Sequence, residues 1–203
     1  MSHLRPELRQ RADEIVALYP QRRSAMLPLC HLAQEQDGYL TAEAMVEIAE
    51  LTGTTPAEVR GTASFFDLFH LSPVGTYVVG VCTNIACLLG GGLELLAHAE
   101  RTLGIAVGET TSDGSFTLEE CECLADCDRP PCVQVNSRFT GAQTPEAFDA
   151  LVDELRAGSR SSEIPAFGTL SRVRRAVGLV APPTQVAEER ARVRLRTADG
   201  PAS

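Results

Sequence analysis

Tyr77-Val-Val-Gly-Val-Cys82-Thr-Asn-Ile-Ala-Cys87 is the stretch on which the fold turns. Apart from Gly80, its first five residues are β-branched or aromatic, as in a strand packed on a core. Thr-Asn then breaks the run, with a thiol on either side. A second pair, Cys123-Leu-Ala-Asp-Cys127, follows a shorter extended run that begins Phe116-Thr-Leu. Two strand ends carrying two thiols each can gather four sulfurs around one metal centre. Zinc sites take cysteines about two to four residues apart, and one type of [2Fe–2S] site uses Cys-x4-Cys. The wider first pair therefore favours an iron–sulfur cluster over zinc and leaves zinc open.

Outward from the first pair, Cys82 to Gly92 reads as a loop, and Leu93, Leu96, Ala97 and Leu103 mark a helix ending at Gly104. Gly90-Gly91-Gly92 permits close backbone approach and frees amide donors. No Lys-Ser/Thr follows, so a phosphate loop is not indicated. Beyond the second pair come a turn at Arg129-Pro130-Pro131, a strand over Cys132–Asn136 and a short hairpin partner over Arg138–Thr140. Thr144-Pro145-Glu146 then opens a helix carrying Phe148, Leu151, Val152 and Leu155, stopped at Gly158. Strand, helix, strand, hairpin and helix make a small α/β sandwich with helices against a short sheet.

Upstream the periodicity is helical. The pattern predicts helices over Arg5–Tyr19, Arg22–Gln36 (Pro28 in its first turns) and from a Thr41 cap to Gly53, the last with Glu43 and Glu47 outward. Thr55-Pro56-Ala-Glu58 starts a fourth helix running to about Phe69. Residues 1–73 are thus a helical region, 74–158 the α/β domain and 159–203 an extended, Arg-rich tail with room for a short helix over Gln185–Arg196. Cys30 reads as a small buried hydrophobe. His31 and His70 lack partners at ligand spacing and read as ordinary histidines.

Composition narrows the function. The 203-residue chain has a formal net charge of −9, against nucleic acid or an anionic membrane as partner. All 18 basic residues are Arg; eight of them, with four of the 27 acidic residues, follow Gly158, so a body of −13 precedes a tail of +4. The first residues lack an apolar signal core and no stretch reads as a membrane span, so a cytoplasmic location with reduced thiols is expected. Seven cysteines compete for four ligand places. Cys82 and Cys87 share one loop, and the other two ligands come from Cys121, Cys123, Cys127 and Cys132. Alternation puts Cys121 on the same face as Cys123, so spacing does not exclude it. A loop pair is preferred because loop cysteines can turn to a cluster without breaking a ladder, and Cys132 reads as a packed thiol.

Val81-Cys82-Thr-Asn-Ile-Ala-Cys87-Leu-Leu-Gly-Gly and Glu122-Cys123-Leu-x-x-Cys127-x-x-x-Pro131-x-x-Gln134-Val-Asn136 resemble the thioredoxin-like [2Fe–2S] ferredoxin family. Within it they are similar to the small peripheral-arm iron–sulfur subunits of bacterial NADH:quinone oxidoreductase (complex I). Leu27-Pro-Leu-x-His31-Leu-Ala-Gln34, Gly38-Tyr-Leu40 and Phe65-Phe66-x-x-Phe69 resemble the family's helical N-terminal part, and the likeness runs from about residue 10 to 158. The resemblance implies an N-terminal helical bundle followed by a thioredoxin-like domain, and one [2Fe–2S] cluster on Cys82, Cys87, Cys123 and Cys127. It also implies a partner subunit that carries FMN and binds NADH, other peripheral-arm partners, and a place on the cytoplasmic side of the inner membrane without insertion. No flavin or nicotinamide fingerprint occurs in this chain. Small subunits of NAD-dependent formate dehydrogenases and NAD-reducing hydrogenases share the module, and a zinc-stabilised adaptor is the non-redox alternative. Two departures stand out: Cys121 and Cys132 replace apolar residues, and Leu124-Ala125-Asp126 replaces Leu-Gly-Ala or Leu-Gly-Ser. The second restricts the loop and sets a carboxylate beside an anionic cluster.

Overall fold

The start signal at Thr55 folds as read. The Thr55 hydroxyl accepts from the Glu58 N–H while the Glu58 carboxylate accepts from the Thr55 N–H, satisfying two donors at a helix end. In the computed structural model, which describes residues 2–168, this box opens α4 (Pro56–Ala63). Before it come α1 (Pro6–Ala17), a 3-10 turn (Arg22–Ala25), α2 (Met26–Asp37) and α3 (Ala42–Thr52). Gly38 and Gly53 close α2 and α3 in the left-handed conformation, where a side chain would be strained. Leu29, Cys30, Ala33, Ile48 and Val59 are fully buried in the apolar cluster that these helices enclose.

Two expectations for this half are corrected. The fourth helix ends at Ala63, not near Phe69. Phe65 and Phe66 each donate three residues back, to Thr62 and Ala63, and this tighter turn leaves Phe65 81% exposed while Phe69 is buried. Glu47 points inward, not outward. Its carboxylate accepts from the His3 and Leu4 N–H groups, the Ser2 hydroxyl and Arg9, so the start of the chain is clamped onto α3. Burial pushes the Glu47 carboxyl up, but these hydrogen bonds outweigh it and hold the group below the usual range.

The second half comprises β1 (Tyr77–Cys82), α5 (Ile85–Leu89), α6 (Gly92–Leu103), β2 (Phe116–Cys121), β3 (Cys132–Val135), β4 (Arg138–Ala142) and α7 (Pro145–Arg156). The sheet order is β2-β1-β3-β4. β1 and β2 are parallel, with Cys82 opposite Cys121, and the β1–β3 and β3–β4 pairs are antiparallel. Val79, Val81, Phe116, Leu118, Val133 and Val135 pack in one cluster with Leu95 and Ala99 of α6 and Phe148, Leu151 and Val152 of α7. His98 joins α6 to α7 through Asp149 at 2.7 Å. The stretch from Cys82 to Gly92, read as a loop, contains α5, whose first N–H is capped by the Asn84 carbonyl at 2.6 Å.

Beyond α7 the chain makes successive turns back onto the fold. Ile164 is buried in the sheet-side cluster, and Asn136 donates to the Pro165 carbonyl at 2.9 Å. Phe167 donates its N–H to the Thr76 carbonyl, and its ring lies against Gly38, where an added Cβ would fall 2.8 Å from it. The helix expected over Gln185–Arg196 and most of the Arg-rich tail lie outside the described residues. No helix among the described residues is long and apolar enough to cross a membrane.

Candidate metal centre

β1 delivers Cys82 at its last residue, and the Asn84-capped turn of α5 brings Cys87 back beside it. Both are buried. The return depends on glycine. A Cβ on Gly92 would lie 2.7 Å from the Cys82 carbonyl oxygen and 2.9 Å from that of Cys87, and one on Gly90 2.9 Å from Pro130. Gly91 has φ +93°. The three glycines let strand end, short helix and the 130s turn meet at backbone distance.

Cys123 and Cys127 lie in the loop between β2 and β3, and both are exposed. The Cys127 thiol is pushed up by its neighbour Cys123 first, and in smaller part by Cys87 and Cys82. Cys82 donates to the Glu122 carbonyl at 3.5 Å, tying the end of β1 to the residue before Cys123. Among the described residues, no three His, Cys, Asp or Glu side chains converge as ligands of a single metal ion.

The other thiols separate by place. Cys30 belongs to the helical core, where burial pushes its thiol up to about 12. Cys121 ends β2 and lies over Gly80, with its sulfur 2.7 Å from where a Cβ would stand. Burial first, then the charge of Glu119, lifts that thiol to about 11. The His31 ring packs tilted against Phe69 with centroids 4.7 Å apart, and His70 faces Glu119 at 3.8 Å. Cys132 is the thiol whose surroundings the sequence did not disclose. It opens β3 as read, but its sulfur stands 3.5 Å from that of Cys87 and its N–H donates to the Cys87 sulfur at 3.4 Å. Its own thiol donates to the Asp126 carbonyl at 2.8 Å. A strand-opening cysteine shortly after a loop thiol was the available signal; the neighbour 45 residues earlier was not.

The departure at Ala125 has a structural counterpart. Ala125 adopts φ +61°, the region that glycine occupies freely and other residues at a cost of about 1–2 kcal/mol. Asp126 does not offer a free charge: its carboxylate accepts from Arg129 at 2.7 Å, and the partner raises the guanidinium. Its second oxygen is buried without a partner.

Four thiols on two loops joined by the Cys82–Glu122 contact, with a backbone N–H on one sulfur, fit an iron–sulfur cluster. Fold and site together define a thioredoxin-like iron–sulfur protein. The chain belongs to the thioredoxin-like [2Fe–2S] ferredoxin family, whose model matches residues 12–156. It is similar to an NADH-quinone oxidoreductase subunit of Mycobacterium tuberculosis, 44% identical over 80% of this chain and 66% of that protein. It is also similar to NADH-quinone oxidoreductase subunit 2 of Thermus thermophilus, 41% identical over 75% of this chain and 86% of that one. The chain thus spans slightly less than two thirds of the mycobacterial relative. A crystal structure of an NAD+-reducing [NiFe]-hydrogenase in the air-oxidized state matches with TM-score 0.59 at 23% identity, over 68% of this chain and 24% of that one, a likeness of fold alone.

Proposed function

We propose that Cys82, Cys87, Cys123 and Cys127 hold one [2Fe–2S] cluster and that the chain is an electron-transfer subunit of NADH:quinone oxidoreductase. The observation that carries this is a pair of thiols on each of two loops joined by the Cys82–Glu122 contact, in a chain of this family. When bound, such a cluster supplies one-electron chemistry. NADH gives up a hydride, so a flavin must stand between, and we place FMN and the NADH site on a partner subunit. This chain's own part is to bind and to position. Cys82 and Cys87 form the buried wall of the site, the Cys132 N–H stabilises negative charge on the Cys87 sulfur, and Cys123 and Cys127 bring the site to the surface where an electron can leave. Beside the buried pair, α5 exposes Ile85 (72%) and Leu89 (85%), apolar surface of the kind a partner covers. The names of the relatives support the quinone-linked complex over formate dehydrogenase or hydrogenase assemblies, and within that complex we place the chain peripherally, on the cytoplasmic side.

The test is anaerobic purification followed by reduction. Red-brown protein with about two irons and two sulfides per chain and a one-electron EPR signal is the expected result. Colourless protein with stoichiometric zinc would establish the adaptor reading instead.

A further inference from the structure

Cys132 is a thiol this family's pattern does not call for, yet it stands against the site. Two sulfurs bound to one tetrahedral metal at about 2.3 Å lie about 3.8 Å apart. The Cys87 and Cys132 sulfurs are 3.5 Å apart, close to that spacing. Cys132 is also fixed from both sides. β3 pairing with β1 sets its backbone, as Val133 stands opposite Val81 one residue on, and its thiol is held by the Asp126 carbonyl within the loop that carries Cys123 and Cys127. Cys82, Cys87 and Cys132 form one buried cluster, with Leu124 packed against it.

We infer that Cys132 is a reserve iron ligand that can take the place of Cys87. The inference rests on the cluster proposed above. In the exchange Cys132 gives up its thiol proton and makes the bond to iron that Cys87 releases, while Cys87 takes up a proton. No electron moves, and no co-reactant is needed. The movement is short, because the two sulfurs already share one neighbourhood and the Cys132 backbone is held in the sheet.

The experiment reconstitutes full-length chains anaerobically with ferrous iron and sulfide, and reads iron and sulfide per chain and visible absorption. The set is wild type, Cys132→Ala, Cys87→Ala, Cys127→Ala and Cys87→Ala/Cys132→Ala. Wild type loads fully, and Cys132→Ala, which removes the contact to the Asp126 carbonyl, sets the baseline for the double variant. Cys87→Ala should keep at least about half of the wild-type iron with a shifted absorption spectrum, whereas Cys127→Ala and the double variant should fall at least about tenfold. Cys87→Ser, nearly isosteric, repeats the comparison should alanine impair folding, with Cys87→Ser/Cys132→Ala as its control. A Cys87 variant as empty as its double variant overturns the inference, as does a double variant that loads as well as Cys132→Ala. Wild type that takes up no iron would instead overturn the cluster itself.

Discussion

The two thiol pairs are held in opposite ways. Cys82 and Cys87 sit on a strand end and a short helix pressed together through Gly92, so backbone contact fixes them. Cys123 and Cys127 sit in an open loop secured by a handful of directional contacts: the Cys132 thiol on the Asp126 carbonyl, the Asp126–Arg129 pair and the left-handed turn at Ala125. One half of the site is set by packing, which yields little, and the other by a few bonds that single substitutions can remove. The difference teaches that the proposed four-sulfur site would need only one rigid wall, with the opposite side left accessible.

The largest effect should come from filling the packed wall. Gly92→Ala drives a methyl into two carbonyl oxygens of the backbone, which cannot swing aside. It should cost about 3 kcal/mol in urea denaturation and release iron more readily to a chelator. An unchanged midpoint would mean that α5 moves freely and that the contrast between the walls is false.

Accessibility sharpens the same contrast. In cluster-free protein, iodoacetamide should modify Cys123 and Cys127 at least about 100-fold faster than Cys82 and Cys87, because the buried pair reacts only through local opening. Peptide mapping by mass spectrometry gives the rates, and equal rates for the two pairs would break the comparison.

A smaller change of opposite sign is expected in the open loop. Ala125→Gly removes a left-handed strain of about 1–2 kcal/mol and loosens the unfolded chain by about 0.4–1 kcal/mol. The net should be a gain of about 0.5–1 kcal/mol in thermal or urea unfolding. A loss would show that the turn has relaxed around alanine.

How much of this was legible follows from how local each cause is. The Thr55 box, the Gly53 stop and the strand leading to Cys82 depend on neighbours within a few residues, and all were readable. α5 was not, because five residues with one polar cap carry no period to separate a helix from a loop. Glu47 lies where helical spacing points outward, and only the amides of His3 and Leu4, far along the chain, explain its burial. The Phe65-Phe66-x-x-Phe69 cluster suggested a continuing helix, but the chain tightens after Ala63 and sends the rings to different surroundings. The resemblance named four cysteines for the proposed site; the closeness of Cys132 to Cys87 is a product of sheet pairing that no spacing rule contains.

The smallest expected effect is electrostatic. A lone carboxylate about 6–8 Å from the site at an effective dielectric near 20 would be worth about 2–3 kcal/mol, and solvent ions cut this below about 1 kcal/mol. Arg129 neutralises most of what is left. Arg129→Gln should therefore lower the reduction potential by about 10–30 mV and Asp126→Asn raise it by a similar amount, with the double variant near wild type. Redox titration of the three chains is the measurement. Single variants that both leave the potential unmoved would place this pair outside the site's field.

The turns after α7 also say where the folded body can be cut. Ile164 fills the sheet-side interior, Pro165 is held by Asn136, and Phe167 bridges from Thr76 to Gly38 of the helical half. A stop codon placed at the end of α7 would thus remove a seam, since these same turns fasten one half of the molecule to the other. A truncated form meant to remove the Arg-rich extension should keep every residue through Gly168. A protease that nicks between Gly158 and Ile164 would do more than trim an appendage: it would sever the stitch that closes the body from behind.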